Sequence, residues 1–270
     1  MALVSFFKLI FFTITFSSSR VVLGYDMYSG GAILCMGNST GGSTYKSNVD
    51  LILSELASES SRAHPPFIGF FNGSAGIAPD KAYGSYLCRG DLSIHLCHGC
   101  VSEVTRVLSQ NKIYTDCFGF GGFTDQPLDH CLVHYANYSR GYMNGSVMSF
   151  GKIGGKASNY QQYNETLTAT IEGLVKEAAL GNWSNPYFET RVVQVARSKE
   201  RIYTLVQCTS DISMVNCSKC LGELYSFLPE CCNGTQGALV IHANCLLKYN
   251  NQSFFGNSCR GFVLISYLHC

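Results

Sequence analysis

The strongest constraint on this chain is a phrase that it contains twice. Cys88, Cys97 and Cys100 stand in C-x8-C-x2-C spacing, and Cys208, Cys217 and Cys220 repeat that spacing 120 positions later. Tyr83, Asp91 and Ser93 recur at the same offset as Tyr203, Asp211 and Ser213. Six identities at one offset mark two copies of one module, and a repeat sets the unit that has to fold. The chain of 270 residues then divides into two modules, each large enough to bury a modest core.

The other signals concern compartment. Met1 to Lys8 carries a single positive charge, Leu9 to Phe16 is an apolar run, and Ser17, Ser18, Ser19 and the small Gly24 follow. This pattern predicts a secretory signal peptide over residues 1–24, cut near Gly24. The apolar run is too short to cross ~30 Å of hydrocarbon. No second apolar run of the length needed to cross a bilayer follows, so the mature protein is expected to be soluble, with no membrane span. Nine Asn-x-Ser/Thr acceptors suit an exported glycoprotein. Eight are expected to carry glycan: Asn38, Asn72, Asn137, Asn144, Asn164, Asn182, Asn233 and Asn251. Asn216 is set aside because Cys217, inside its sequon, is expected in a bridge. Fourteen cysteines, an even number, read as up to seven disulfides in an oxidising compartment. A net charge of +1 with 14% charged residues gives no basis for a nucleic-acid partner or an anionic membrane face.

Periodicity places the elements. Asn48, Val49, Ile52, Leu53 and Leu56 form one helical stripe, and Pro65-Pro66 forbids its continuation. Phe67 to Phe71 and Ala82 to Leu87 read as strands. Asp91 and Ser93 stand where short polar side chains cap a helix, whose apolar face is Cys97, Cys100, Val101, Val104 and Leu108. Gly119 to Gly122 reads as a glycine-rich connection leading to a strand at Cys131 to Tyr135. Copy two keeps the order, with helical stripes at Leu167, Ile171, Leu174, Val175 and Ala178 and at Cys217, Cys220, Leu221, Leu224 and Leu228. Its strands are expected at 187–195, 202–206, 238–241, 245–249 and 262–268. The expected domains are 25–138 and 159–270, joined by a Gly, Ser and Asn-rich linker at 139–158. Each module is an α+β unit.

The repeated motif, together with Cys131-Leu-Val-His-Tyr135 and Cys245-Leu-Leu-Lys-Tyr249, closely resembles the plant ginkbilobin-like domain. That domain is also called the stress-antifungal domain or domain of unknown function 26. Two tandem copies behind a signal peptide resemble a cysteine-rich repeat secretory protein. The resemblance implies two helices packed on a five-stranded antiparallel sheet in each module. It implies the bridges Cys88–Cys97, Cys100–Cys131 and Cys35–Cys117 in copy one, and Cys208–Cys217 and Cys220–Cys245 in copy two. Copy two has no cysteine matching Cys35. Cys231, Cys232, Cys259 and Cys270 are left over, and since adjacent cysteines rarely bridge, each of Cys231 and Cys232 is expected to meet a tail cysteine.

Several residue patterns suggest chemistry, and each competes with a structural role. Cys97-His-Gly-Cys100 has the spacing of a thioredoxin-like pair, but copy two reads Cys-Ser-Lys-Cys and the module lacks βαβ order. The two C-x2-C pairs stand 117 residues apart, against ~15–20 in zinc ribbons. The seven histidines, His64, His95, His98, His130, His134, His242 and His269, share no repeated position. No nucleophile elbow, metalloprotease motif or phosphate loop occurs. Asp91 and Asp211 are expected in turns or helix caps. The chain is therefore read as no enzyme, with no cofactor and no metal. Single-domain relatives bind mannose through an Asn after the first cysteine, an Arg on a late strand and a Glu after the last cysteine strand. Here Met36, Leu239, Ala136 and Asn250 occupy the matching positions, so the donors that site needs are missing. The expected protein is a secreted, apoplastic recognition protein in stress or defence with an extracellular carbohydrate or protein ligand. The alternatives are an antifungal mannose-type lectin and, more remotely, an apoplastic thiol oxidoreductase.

Overall fold

The computed structural model describes residues 24–28, 31–39, 42–62, 69–110, 114–122, 129–139, 148–180 and 187–255. The expected signal peptide up to residue 23, the strand at 262–268, His64, His269, Asn144, Asn182, Cys259 and Cys270 lie outside the described residues.

Each apolar stripe in the sequence became a helix lying on a sheet. In module one these are α1 (Ser43–Ser60) and α2 (Ile94–Gln110). In module two they are α3 (Tyr160–Leu180) and α4 (Met214–Cys232). Val49, Ile52, Leu53 and Leu56 of α1 are all buried, as are Val101, Val104 and Leu108 of α2. Ser213 starts α4 as expected, its hydroxyl accepting from the Asn216 backbone N–H at 3.2 Å. Ser93 does the same for Leu96 at 3.4 Å. Asp91 and Asp211 are not helix caps. Asp91 sits in a turn with its carboxylate held by Arg89, and Asp211 faces Asn72 of the other module.

The strands are all antiparallel. Module one holds β1 (Gly24–Tyr28), β2 (Gly31–Ser39), β3 (Phe70–Ala75), β4 (Ala82–Cys88), β5 (Tyr114–Gly121) and β6 (Cys131–Ala136), in spatial order β1-β2-β5-β6-β4-β3. Module two holds β7 (Met148–Lys156), β8 (Phe188–Gln194), β9 (Arg201–Cys208), β10 (Thr235–His242) and β11 (Cys245–Asn250), in order β7-β10-β11-β9-β8. The two orders coincide once β1, which extends one edge of the first sheet, is set apart. Besides β1, three strands were not foreseen. β2 and β7 pair along their lengths with β5 and β10, so the stretch expected as a linker at 139–158 contains a strand of the second sheet. The third is β5, read as a glycine-rich connection. Its glycines have a packing reason: a Cβ on Gly119 would collide with Val104, and one on Gly121 would come within 2.6 Å of Val104 Cγ2 and 2.7 Å of Cys100 Sγ. Glycine lets α2 lie directly on the strand.

The disulfides tie helices to strands. Cys88–Cys97 and Cys208–Cys217 join β4 and β9 to the first turns of α2 and α4, while Cys100–Cys131 and Cys220–Cys245 join those helices to β6 and β11. Cys35–Cys117 links β2 to β5. These are the pairs that the resemblance implies. In the second sheet the register that faces Cys35 with Cys117 is taken by Lys152 and Ala238, so both partners of that bridge are replaced together. The expectation for the remaining pair is corrected: Cys231 and Cys232 bridge each other at the end of α4, not the tail. The helix end already holds both sulfurs beside one another, which sequence spacing had counted against the bond.

The helices cover one face of each sheet and form one core per module. The opposite faces pack against each other. Leu87, Phe118, Phe120 and Leu132 of module one meet Phe188, Leu205, Leu239, Ile241, Leu246 and Phe254 of module two in a third apolar core. The result is four layers, helices outside and two sheets inside.

Candidate functional site

The outward face of the first sheet is divided lengthwise. Along β4, Leu87 goes into the inter-module core, whereas Tyr83 and Ser85 on the same face lie beyond it. Along β3 the split falls between Phe70 and the pair Asn72 and Ser74, and along β6 between Leu132 and His134. Strand alternation puts all of these on one side of the pleat. The polar half emerges from under module two as a cleft. Its lining is Asn72, Ser74, Tyr83, Ser85, His134, Tyr138 and Ser139 from module one, with Asp211 overhanging from module two.

The walls are ordered by hydrogen bonds. His134 Nε2 lies 2.8 Å from Asp116 Oδ1, and the Tyr138 hydroxyl donates to Asp116 Oδ2 at 2.6 Å. Asp116 and His134 are buried, so this carboxylate–imidazole pair forms a fixed floor. Across the cleft the Asn72 amide donates to Asp211 Oδ2 at 3.2 Å, linking the modules. Ser74, Ser85 and Ser139 present hydroxyls, Tyr83 and Tyr138 add ring faces with hydroxyl ends, and Asp211 adds an exposed carboxylate. This is a set of short hydrogen-bonding groups beside aromatic surface, without a nucleophile poised against a base. Sequence reasoning missed it, because its residues come from four separate segments and most of them have no counterpart in the other copy.

Module docking, on which the cleft depends, has a charged centre. Arg89 donates to both Asp91 oxygens at 2.6 and 3.0 Å, to Asp129 Oδ2 at 2.6 Å, and to the Phe254 carbonyl at 3.0 Å. Lys248 of β11 donates to the same Asp129 oxygen. Burial alone pulls the Arg89 guanidinium down, yet Asp129 and Asp91 outweigh it and hold it above its ordinary value. For Lys248 burial wins and the ammonium is pulled down, with Asp129 opposing. Gln207 of β9 accepts from Gly90 N–H at 2.9 Å and donates to the Cys88 carbonyl at 3.0 Å. A Cβ on Gly90 would lie 2.7 Å from the Phe188 ring, so glycine permits this close approach.

The other residues singled out in the sequence are dispersed. Met36 is paired with Asp116 in strand register, and Asp116 with Ala136. Leu239 is buried in the inter-module core. Cys97 and Cys100 bridge to different partners, so no C-x2-C pair is joined as a redox unit. Cys220, His242 and Cys245 gather closely enough to suggest a metal, but both sulfurs belong to one disulfide and offer no thiolate. His98 is engaged by Ser60 at 3.0 Å and lies apart from the cleft. Among the sequons, Asn72, Asn137, Asn164 and Asn233 are exposed. No helix among the described residues is long and apolar enough to cross a membrane.

Comparisons with known proteins agree with this architecture. The family described as salt stress response/antifungal matches residues 34–138 and 151–252. Cysteine-rich repeat secretory protein 5 of Arabidopsis thaliana is 32% identical over 222 residues, covering 78% of this chain and 77% of the relative. Cysteine-rich repeat secretory protein 1 of the same plant is 31% identical over 226 residues, covering 79% and 60%. Among solved structures, the tandem DUF26 ectodomain of the Arabidopsis thaliana cysteine-rich receptor-like protein PDLP8 superposes with a TM-score of 0.64 at 19% identity, covering 81% of this chain and 96% of that one. No enzymatic family is indicated. With one family domain on each module, the chain belongs to the salt stress response/antifungal family, also called DUF26, in its tandem form.

Proposed function

We propose that this is a secreted, non-enzymatic recognition protein of the plant extracellular space, which takes a hydroxyl-rich carbohydrate ligand in the cleft between its modules. The observation that carries the reading is the cleft itself. Serine and tyrosine hydroxyls, an amide and one carboxylate converge on exposed sheet surface beside two tyrosine rings. Such a set matches the alternating hydroxyl and C–H faces of a sugar. Secretion is supported by the sequence of the first 24 residues, the sequons and the disulfide content. A role in stress or defence, in the apoplast, rests on the family alone.

The antifungal mannose-type lectin reading has less support, since Leu239 is enclosed between the sheets and Met36 and Ala136 carry no donors for a sugar. The thiol oxidoreductase reading loses its nucleophile, because every cysteine among the described residues is bridged.

The test is a glycan-array screen of refolded, unglycosylated, disulfide-intact protein beside Asp211→Ala and Tyr138→Phe variants. Selective binding is expected, weakened roughly tenfold or more by Asp211→Ala, because a hydrogen bond to a charged group contributes ~1.5–3 kcal/mol. A blank array, or binding indifferent to both substitutions, removes the cleft as a sugar site and directs the search to protein ligands. A free thiol appearing among the bridged cysteines would reopen the redox reading.

A further inference from the structure

A second concavity lies on the far side of module two, between the start of α3 and the end of α4. Leu167, Leu228, Tyr163 and Tyr249 form its buried floor. Tyr160, half exposed at 49%, and Tyr225 form its walls. The groove presents aromatic and aliphatic side chains to solvent. Two sequon asparagines stand on its rim, Asn164 on α3 and Asn233 just past α4, both exposed. The residue that follows Asn233 stands against the aromatic wall. Gly234 has φ +73, and a Cβ there would meet the Tyr160 ring at 3.0 Å. The backbone after Asn233 therefore runs against the Tyr160 ring, and Asn233 lines the same groove as that ring.

From this geometry we infer that the groove is the seat of the protein's own N-linked glycan on Asn233. The innermost N-acetylglucosamine lies with its C–H face over Tyr160 and its acetyl methyl toward the Leu167 and Leu228 floor. The linkage is the ordinary one: the Asn233 amide nitrogen displaces the lipid pyrophosphate of the donor oligosaccharide and loses one proton. The groove is then closed to outside ligands. The inference rests on the reading that the chain is secreted.

Glycopeptide mass spectrometry of protein exported from a plant host reads occupancy at Asn233. Melting of wild type, Tyr160→Ala, Asn233→Gln and the double variant then reads the coupling, with refolded unglycosylated protein as baseline. Asn233 should be occupied. Tyr160→Ala and Asn233→Gln should each lower Tm by about 2–4 °C, and the double variant should fall no further than either alone. In unglycosylated protein Tyr160→Ala should have little effect. An unmodified Asn233 in exported protein whose other sequons are occupied overturns the inference. Additive losses, or an equal effect of Tyr160→Ala without glycan, overturn it too, as does coupling of Tyr160 to Asn164→Gln instead. Failure of export overturns the secretion reading and with it this inference, whereas the earlier outcomes leave secretion standing.

Discussion

Arg89→Met is the sharpest probe of how the two modules are held together. Arg89 is 3% exposed, and its four hydrogen bonds serve Asp91, Asp129 and the Phe254 carbonyl of the other module. Methionine keeps much of the apolar stem and removes the charge. Asp91 then loses the cation it is hydrogen-bonded to, while Asp129 keeps Lys248. Breaking a buried ion pair from one side costs ~3–5 kcal/mol, because an uncompensated charge is left in a low-dielectric site. For a chain of this size that corresponds to a fall in Tm of about 6–20 °C. The assay is guanidinium and thermal unfolding with the disulfides intact. Adding Asp91→Asn to Arg89→Met should recover part of the loss, since it removes the carboxylate left without its partner, whereas Asp129 keeps Lys248. High salt should change the Arg89→Met cost little, because the pair is screened by protein and not by solvent. A loss below ~1 kcal/mol, the range of exposed ion pairs, would refute the argument by showing that water reaches the cluster.

Three further substitutions test separate links. Gly119→Ala should destabilise by ~1–3 kcal/mol through overpacking against Val104, read by thermal unfolding; a neutral result would mean that α2 does not lie on β5. Replacing Cys231 and Cys232 together by serine should cost only ~1 kcal/mol in loop entropy, against ~4–5 kcal/mol for Cys35 and Cys117, which close a separation of 82 residues. Comparable losses from the two pairs would show that Cys231 or Cys232 closes a long loop. His130 is held below its ordinary value by burial, reinforced by Arg89 and Lys248 and opposed by Asp129 and Asp91. The unfolded chain therefore binds this proton first, and stability contributed by neutral His130 is lost as pH falls below ~6.5. His130→Gln should flatten that part of a Tm-against-pH profile, and an unchanged slope would assign the acid sensitivity to other groups.

The helices were legible because each presents a one-sided stripe that the sheet must cover, as with Val49, Ile52, Leu53 and Leu56. Strands carrying a repeated cysteine phrase were legible too. What escaped had a different signature. β5 is broken by glycines that serve the approach of α2, so its composition reads as a turn. β7, Met148 to Lys156, is an edge strand with exposed residues at 152, 154, 155 and 156, and an edge needs no continuous apolar run. The inter-module core has no signature of its own in the sequence. Phe118, Leu132 and Leu246 look like any strand residues until the face opposite the helices is known to be covered.

The cleft was hidden for a reason that follows from duplication. A search for repeated functional positions assumes that both copies keep the same task, yet the copies dock through corresponding faces and cannot. His134 and Lys248 hold the same place in the repeat, the fourth residue of the Cys-aliphatic-aliphatic-x-Tyr phrase. In module one that place lines the open cleft, and His134 pairs with Asp116. In module two it is turned into the interface, where Lys248 pairs with Asp129 from across the boundary. Asp91 and Asp211 divide in the same way, one held inside by Arg89 and the other overhanging the cleft toward Asn72. Repeated positions therefore report the scaffold, whereas recognition and docking depend on which face of it each copy leaves open, with the same residue type as in Asp91 and Asp211 or a different one as in His134 and Lys248. Exchanging them should show it. Lys248→His removes a charge from the docking cluster and should cost stability, while His134→Lys places a cation beside Asp116 in the cleft and should leave docking intact. Equal destabilisation by the two swaps would mean that the copies have not divided these roles.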